Sequence, residues 1–307
     1  MLATADADGT VRLWDVATGR QTGAALVVSA SSGVNAVAFS PNGSVLATAD
    51  GDGTARLWDL ATGGQAGTAL PAGNAAVSGG QVMDVAFSPD GKKLATASLD
   101  GTARLWNVAT RRQIGAAMTD GNPVSDLREM RHVAFSPDGA TLATVSADDS
   151  VRLWSVSSQR QTGTAGVPGE VPVDIAYGQA FGFAGAMLVI SDSDGTADLW
   201  DVVVKREITG LAAEAAGSML SVAASPDGTA LATIGADGTA YIWDVFAFHG
   251  IGPSVLSGSF SAEALGPYGG TLAVANLDRT IRLWNLATGR PAGPPIQIGR
   301  ASCRERV

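Results

Sequence analysis

The chain has 307 residues and a net charge of -9 at neutral pH. That length can bury a large core, and the negative balance argues against a surface built to hold nucleic-acid phosphates. Cys303 is the only cysteine, so a disulfide framework, a zinc–thiolate site and a cysteine nucleophile are all excluded from the body of the chain.

Apolar residues come in short bursts broken by Gly, Asp, Pro and Ser, and no burst is long enough to span a membrane. This is the punctuation of many short strands. In chain order the first recognisable pieces are Leu2-Ala3-Thr4, Asp8-Gly9-Thr10 and Leu13-Trp14-Asp15-Val16. From Val37 the pattern is fuller. Val37-Ala38-Phe39 is a buried burst, Ser40-Pro41-Asn42-Gly43 a tight turn, and Leu46-Ala47-Thr48 the start of a second strand. Asp52-Gly53-Thr54 makes the next hairpin, with Gly supplying a positive φ. Thr54-Ala55-Arg56-Leu57-Trp58 is a third strand, Ala61-Thr62-Gly63 another turn, and Gln65 to Leu70 a weaker fourth strand.

The unit then recurs. All seven tryptophans (Trp14, Trp58, Trp106, Trp154, Trp200, Trp243 and Trp284) follow Leu or Ile, and an Asp stands six residues before each: Asp8, Asp52, Asp100, Asp148, Asp194, Asp237 and Asp278. Ser-Pro-Asp-Gly returns at residues 88, 136 and 225, and Leu-Ala-Thr at 94, 142 and 231. Four antiparallel strands at a period of 40–50 residues make a propeller blade, which buries its faces only by stacking on its neighbours.

These motifs, in this order, resemble the WD-repeat family, also called β-transducin repeats, over residues 1–297. The resemblance implies an all-β chain: a seven-bladed WD-repeat β-propeller of four-stranded antiparallel blades. The units are about 1–28, 29–70, 71–118, 119–164, 165–211, 212–250 and 251–297. The first blade lacks its inner strand, because the pattern opens on Leu2-Ala3-Thr4; we read the start as internal to a longer protein. Two departures stand out. The Gly-His dipeptide common in that family is absent, so the Asp of each hairpin is expected to serve its own turn. The first turns of blades five and seven are replaced by Gly178 to Gly182 and Gly266 to Gly269.

Candidate sites divide into structural and interacting. The seven Trp and seven Asp are expected to be structural, and the Trp to be buried at equivalent places. The Arg before Leu-Trp (Arg12, Arg56, Arg104, Arg152, Arg282) is expected to pair with a turn carboxylate. Asp6-Ala7-Asp8-Gly9, Asp50-Gly51-Asp52-Gly53 and Asp192-Ser193-Asp194-Gly195 look like pieces of a calcium loop, but none has the EF-hand spacing of Gly and Glu. No calcium, zinc or other cofactor is expected. There is no nucleophile elbow, phosphate loop or His-Glu metal pair, and Asp84, His132, Asp174 and Glu263 are scattered over different first strands.

The irregular segments joining blades are Pro71 to Gln81, Thr119 to Arg131, Gly166 to Pro172, Ala212 to Ser218 and Phe246 to Ser259. They should share one end of the blades, and insertions of this kind map to binding faces. The partner-binding candidates there are Leu99, Arg128, Arg131, His132, Asp174 and Leu277.

The resemblance implies a non-catalytic protein–protein interaction scaffold, binding a protein or peptide on the propeller rim and central opening, with no nucleic acid or membrane partner, and monomeric. A regulatory or sensor array of a larger signalling protein, with a kinase or nucleotide-hydrolysing domain, is the second reading, and an enzyme on a propeller scaffold the third. Lys only at 92, 93 and 205, with Arg elsewhere and abundant Ala and Gly, fits a GC-rich bacterial gene; a cytoplasmic location is expected. Residues 298–307 have no apolar period and resemble one reading frame of a sequencing adapter, so the repeat region is expected to stop at Gln297.

Overall fold

The computed structural model describes residues 1–29, 32–74, 80–119, 129–166, 170–179, 186–212, 218–225, 230–237, 239–244, 249–250, 255–256, 260–265, 270–276, 278–286, 288 and 290–298. Every regular element among them is a strand, and the strands form seven antiparallel sheets, one per repeat. The chain divides into two compact units. Met1–Asp148 with Arg152–Gly163 carries blades 1 to 4, and Thr164–Gly299 with Asp149–Val151 carries blades 5 to 7.

In blade 1, Leu2–Ala5 pairs with Thr10–Asp15, and the far edge is one interrupted strand, Arg20–Gln21 and Leu26–Val27, both pairing with Thr10–Asp15. Among the described residues no first strand pairs with Leu2–Ala5 on its other edge. Blade 2 is complete: Val34–Phe39, Val45–Asp50, Ala55–Asp59 and Gly64–Gln65, with Leu70 bridging back to Ala55. Blade 3 runs Val82–Phe87, Lys93–Ser98, Thr102–Asn107 and Gln113–Thr119, and blade 4 Met130–Phe135, Thr141–Ser146, Val151–Ser155 and Gln161–Ala165.

In the second unit, blade 5 comprises Pro172–Gln179, Ala186–Asp192, Thr196–Asp201 and Arg206–Ala212. Blade 6 comprises Met219–Ala224, Ala230–Gly235, Thr239–Asp244 and a split fourth strand, His249–Gly250 and Val255–Leu256. Blade 7 comprises Phe260–Leu265, Thr271–Asn276, Thr280–Asn285 and a split fourth strand, Arg290–Pro291 and Ile296–Gln297. Two expected boundaries shift. Val255–Leu256 pairs with Thr239 and Ala240, so blade 6 passes residue 250 and part of Phe246 to Ser259 is strand rather than connector. The Ile298 N–H donates to the Arg279 carbonyl at 3.0 Å, the bond that Val28 makes to Gly9 at 2.9 Å, so the repeat pairing reaches one residue beyond Gln297.

The second strands explain the motif Leu-Ala-Thr. Residues such as Leu46, Ala47 and Thr48 are wholly buried, because this strand lies between two others and is covered on both faces. Side chains there must be apolar or internally bonded. The tryptophans then join blade to blade. Trp58 packs with Val11, Leu13 and Leu26 of blade 1, Trp106 with Leu57 and Leu70 of blade 2, and Trp154 with Leu105 and Met118 of blade 3. In the second unit Trp243 packs with Val189 and Leu199 of blade 5. Each such ring contributes several kcal/mol of burial, and Trp→Ala costs roughly 3–5 kcal/mol.

Five tryptophans are buried as expected, Trp14, Trp58, Trp106, Trp154 and Trp243, whereas Trp200 and Trp284 are only half-buried. The same two differ in hydrogen bonding. In blades 1, 2, 3, 4 and 6 the indole Nε1 donates to the Thr ten residues earlier, at 3.0 Å to Thr4, 3.4 Å to Thr48, 3.1 Å to Thr96, 3.0 Å to Thr144 and 3.0 Å to Thr233. Blades 5 and 7 carry Ile190 and Val274 at that place, and the Trp200 and Trp284 indole N–H groups have no acceptor.

Candidate functional site: the hairpin end of the blades

The Asp-Gly-Thr hairpin, which joins the second and third strands, organises one end of each blade. Asp8 Oδ1 accepts the Thr10 N–H at 2.9 Å and its hydroxyl at 2.6 Å, and Asp52, Asp194 and Asp278 do the same with Thr54, Thr196 and Thr280. The Asp does serve its own turn. The glycine after it is forced by a close approach as well as by φ. At Gly9, with φ of 79°, an added Cβ would lie 1.7 Å from the Ser29 carbonyl oxygen.

The connectors entering blades 2 to 6 return to these hairpins. Val28 and Ser29 donate to Gly9, Gly73 to Gly53, Leu99 to Gln81 and Ala147 to Glu129. In the second unit Ser193 donates to Val171 and Ala236 to Ser218. Within each unit the described ends of these connectors therefore lie beside the hairpins, whereas in Phe246 to Ser259 His249–Gly250 pairs with Trp243 and Asp244 at the other end of the third strand; parts of all five expected segments fall outside the described residues.

The arginine before Leu-Trp neutralises the hairpin. Arg12 reaches Asp6 at 2.6 Å and Asp8 at 3.2 Å, and Arg56 reaches Asp50 at 2.6 Å and Asp52 at 2.7 Å. Arg104, Arg152 and Arg282 pair with Asp100, Asp148 and Asp278. Partial burial works against the Asp8 and Asp52 carboxylates, but bonds from Thr and Arg outweigh it and hold both below the usual range. Asp50 is wholly buried, and burial pushes it up to about 6 despite Arg56 and Thr48.

Blade 5 breaks this charge pattern. Asp198 stands where blades 1, 2, 3, 4 and 7 have Arg, and Asp192 where blades 1 and 2 have Asp6 and Asp50. Glu170, from the connector entering the blade, joins them: one oxygen from each of Glu170, Asp192 and Asp198 lies within 4.8 Å of the others. At an effective dielectric near 20, two like charges at that spacing repel by roughly 3–4 kcal/mol. Burial raises Asp192 to about 8, with Asp198, Glu170 and Asp194 adding to it. Burial likewise raises Asp198 to about 7, reinforced by repulsion from Glu170 and Glu207 and by a bond to Glu170 that favours its protonated form.

The residues expected to meet a partner divide. Asp84 and His132 are neighbours, at 3.7 Å from Oδ2 to Nδ1. Both are buried, and the same Asp84 oxygen accepts the Val133 N–H at 3.0 Å, fastening the first strand of blade 3 to that of blade 4. Asp174 is also buried and does this for blades 5 and 6, accepting the Ser221 hydroxyl at 2.8 Å and the Val222 N–H at 3.4 Å. His132 and Asp174 are thus buried and engaged between neighbouring first strands. Leu99 is half-buried beside its hairpin. Arg131 is exposed and pairs with Glu129 at 3.2 Å. Arg128 and Leu277, and the side chain of Glu263, lie outside the described residues.

One feature escaped the sequence reading. The first strands of blades 2, 4, 5, 6 and 7 each shift register at their second residue, and blade 3 shifts at the same place opposite Ala97 and Ser98. The bulge turns that residue out of the ladder. The bulged residues are Asn35, Met83 and Arg131 in the first unit and Val173, Leu220 and Ser261 in the second. Arg131 and Leu220 are exposed, and Val171, just ahead of the blade 5 bulge, is 40% exposed. A visible signal existed: this one position differs in every repeat while the residue before it stays apolar.

No helix among the described residues is long and apolar enough to cross a membrane. No curated protein matches the chain. The family model for the WD domain, G-beta repeat, matches residues 1–15, 25–59, 74–107, 121–155 and 209–244, about half of the sequence. The unmatched repeats are blades 5 and 7, the two that lack the Trp–Thr bond. With repeat motif, blade topology and family model in agreement, the chain belongs to the WD-repeat family.

Proposed function

We propose that this chain is a non-catalytic interaction platform that binds a protein or peptide at the hairpin end of its blades. WD-repeat propellers commonly bind proteins or peptides and are typically non-catalytic. The observation that carries the finer reading is the repeated bulge. A fixed scaffold presents a different side chain from each first strand, and that combination supplies specificity while the hydrogen-bonded hairpins supply rigidity. Exposed Val171 and Leu220 offer apolar contact, and Arg131 a charge.

The test is photo-crosslinking in the source cell from residue 83 or 131, both in the first unit, with residue 61, in the turn between third and fourth strands, as control. Both probes should capture the same protein and the control should not. Arg131→Glu should reduce capture from residue 83 without lowering the melting temperature, because Arg131 is exposed and its ion pair with Glu129 is a surface pair worth about 0–1 kcal/mol. Equal capture from residue 61, or capture unaffected by Arg131→Glu, would remove this surface from the binding site.

A further inference from the structure

We propose that Glu170, Asp192 and Asp198 of blade 5 bind a calcium ion. The three come from separate segments: the connector entering the blade, the end of the second strand and the third strand. Their nearest oxygens lie within 4.8 Å of one another. Calcium holds oxygens at about 2.3–2.6 Å, so ligands across the ion stand about 4.6–5.2 Å apart and this set can share one ion.

Two further observations point to a cation there. Asp192 and Asp198 are only 2% and 3% exposed, yet Oδ2 of each, and Oε2 of Glu170, is buried without a hydrogen-bond partner. Buried carboxylate oxygens are otherwise bonded or paired. Second, the repeat itself shows what fills this place. Asp198 sits opposite Ile190 in the register that sets Arg12 opposite Thr4 and Arg56 opposite Thr48. In those blades a guanidinium lies 2.6 Å from the equivalent of Asp192. Blade 5 replaces that cation with a third carboxylate, so the guanidinium that offsets the charge in blades 1 and 2 is missing from this hairpin, and a bound cation would take its place.

The donors are all oxygens, with no imidazole or thiolate, which suits a hard cation. Calcium accepts irregular sets of six to eight oxygens, so waters or carbonyls can complete the shell, whereas magnesium demands near-octahedral ligands at about 2.1 Å and gives up water reluctantly. An EF-hand reading of Asp192-Ser193-Asp194-Gly195 fails because two of the three ligands lie outside that tetrad.

The experiment is calorimetric titration of the full chain, stripped with chelator, with calcium chloride and separately with magnesium chloride, alongside melting curves. One calcium per chain is expected, with a dissociation constant on the order of 10⁻⁴ M, and a rise in melting temperature with calcium alone. Asp198→Arg restores the guanidinium of blades 1 and 2; it should abolish calcium binding and melt, in chelator, no lower than the parent. Should that variant not fold, Asp198→Asn serves, with a loss of affinity of at least about tenfold expected. Absence of saturable binding at millimolar calcium, an equal magnesium response, or undiminished calcium affinity in the folded variants would overturn the proposal and leave a shared proton as the occupant of the cluster.

Discussion

Replacing Thr96 with Val removes the acceptor of the Trp106 indole while keeping the shape of the side chain. Thr96 is wholly buried, Trp106 is 3% exposed, and the bond between them is 3.1 Å. The variant leaves a buried N–H without a partner, which costs about 1–3 kcal/mol. Blade 7 contains the reverse experiment. Val274 is wholly buried ten residues before Trp284, whose N–H already lacks an acceptor. Val274→Thr buries a hydroxyl, ordinarily unfavourable by about 1–3 kcal/mol, but here supplies the missing acceptor, so its net effect should fall within about 1 kcal/mol of zero. Urea unfolding followed by tryptophan fluorescence measures both; the midpoint should fall clearly for Thr96→Val and hardly move for Val274→Thr, with the slope unchanged. Equal losses in the two variants, or a neutral Thr96→Val, would refute the view that the Thr of Leu-Ala-Thr is retained for the indole bond.

Three other outcomes follow from the hairpins. Asp50 has a folded-state value of about 6, raised by burial above its ordinary 3.8, so the folded chain holds this proton more tightly than the unfolded chain. Its contribution favours folding fully below about pH 4 and is lost as pH rises through 6. Asp50→Asn should therefore flatten the fall in melting temperature between pH 4 and 7, and an unaltered slope would contradict the assignment. Gly9→Ala should destabilise by more than about 2 kcal/mol, because it adds a clash with the Ser29 carbonyl to the strain of a positive φ. Gly43→Ala, at φ 67° with nothing within 4 Å of the added carbon, should cost only about 1 kcal/mol, and denaturant midpoints that rank the two the other way would refute the argument.

The sequence alone specified the seven repeats, the strand order within each and the use of each hairpin Asp by its own turn. All of these are local: a Pro or Gly sets a backbone angle, an Asp bonds two residues onward, and a strand announces itself by its neighbours. The pairing of Arg12 with its hairpin was legible for the same reason, being four residues from Asp8. What the sequence left open lies between segments. His132 and Asp174 read as candidates for a partner surface, and the sequence did not show that they also bridge neighbouring first strands, since only packing brings Asp84 to His132 and Asp174 to Ser221. The register shift that exposes Arg131 and Leu220 depends on how one strand lies against the next, and an alternating pattern cannot report it. The acidic cluster was hidden most fully. Asp192 and Asp198 belong to one hairpin, but Glu170 arrives from a connector with no motif of its own. Only the tertiary structure brings three carboxylates to the place where a guanidinium sits in blades 1 and 2, because charge repulsion and burial are properties of space and not of sequence separation.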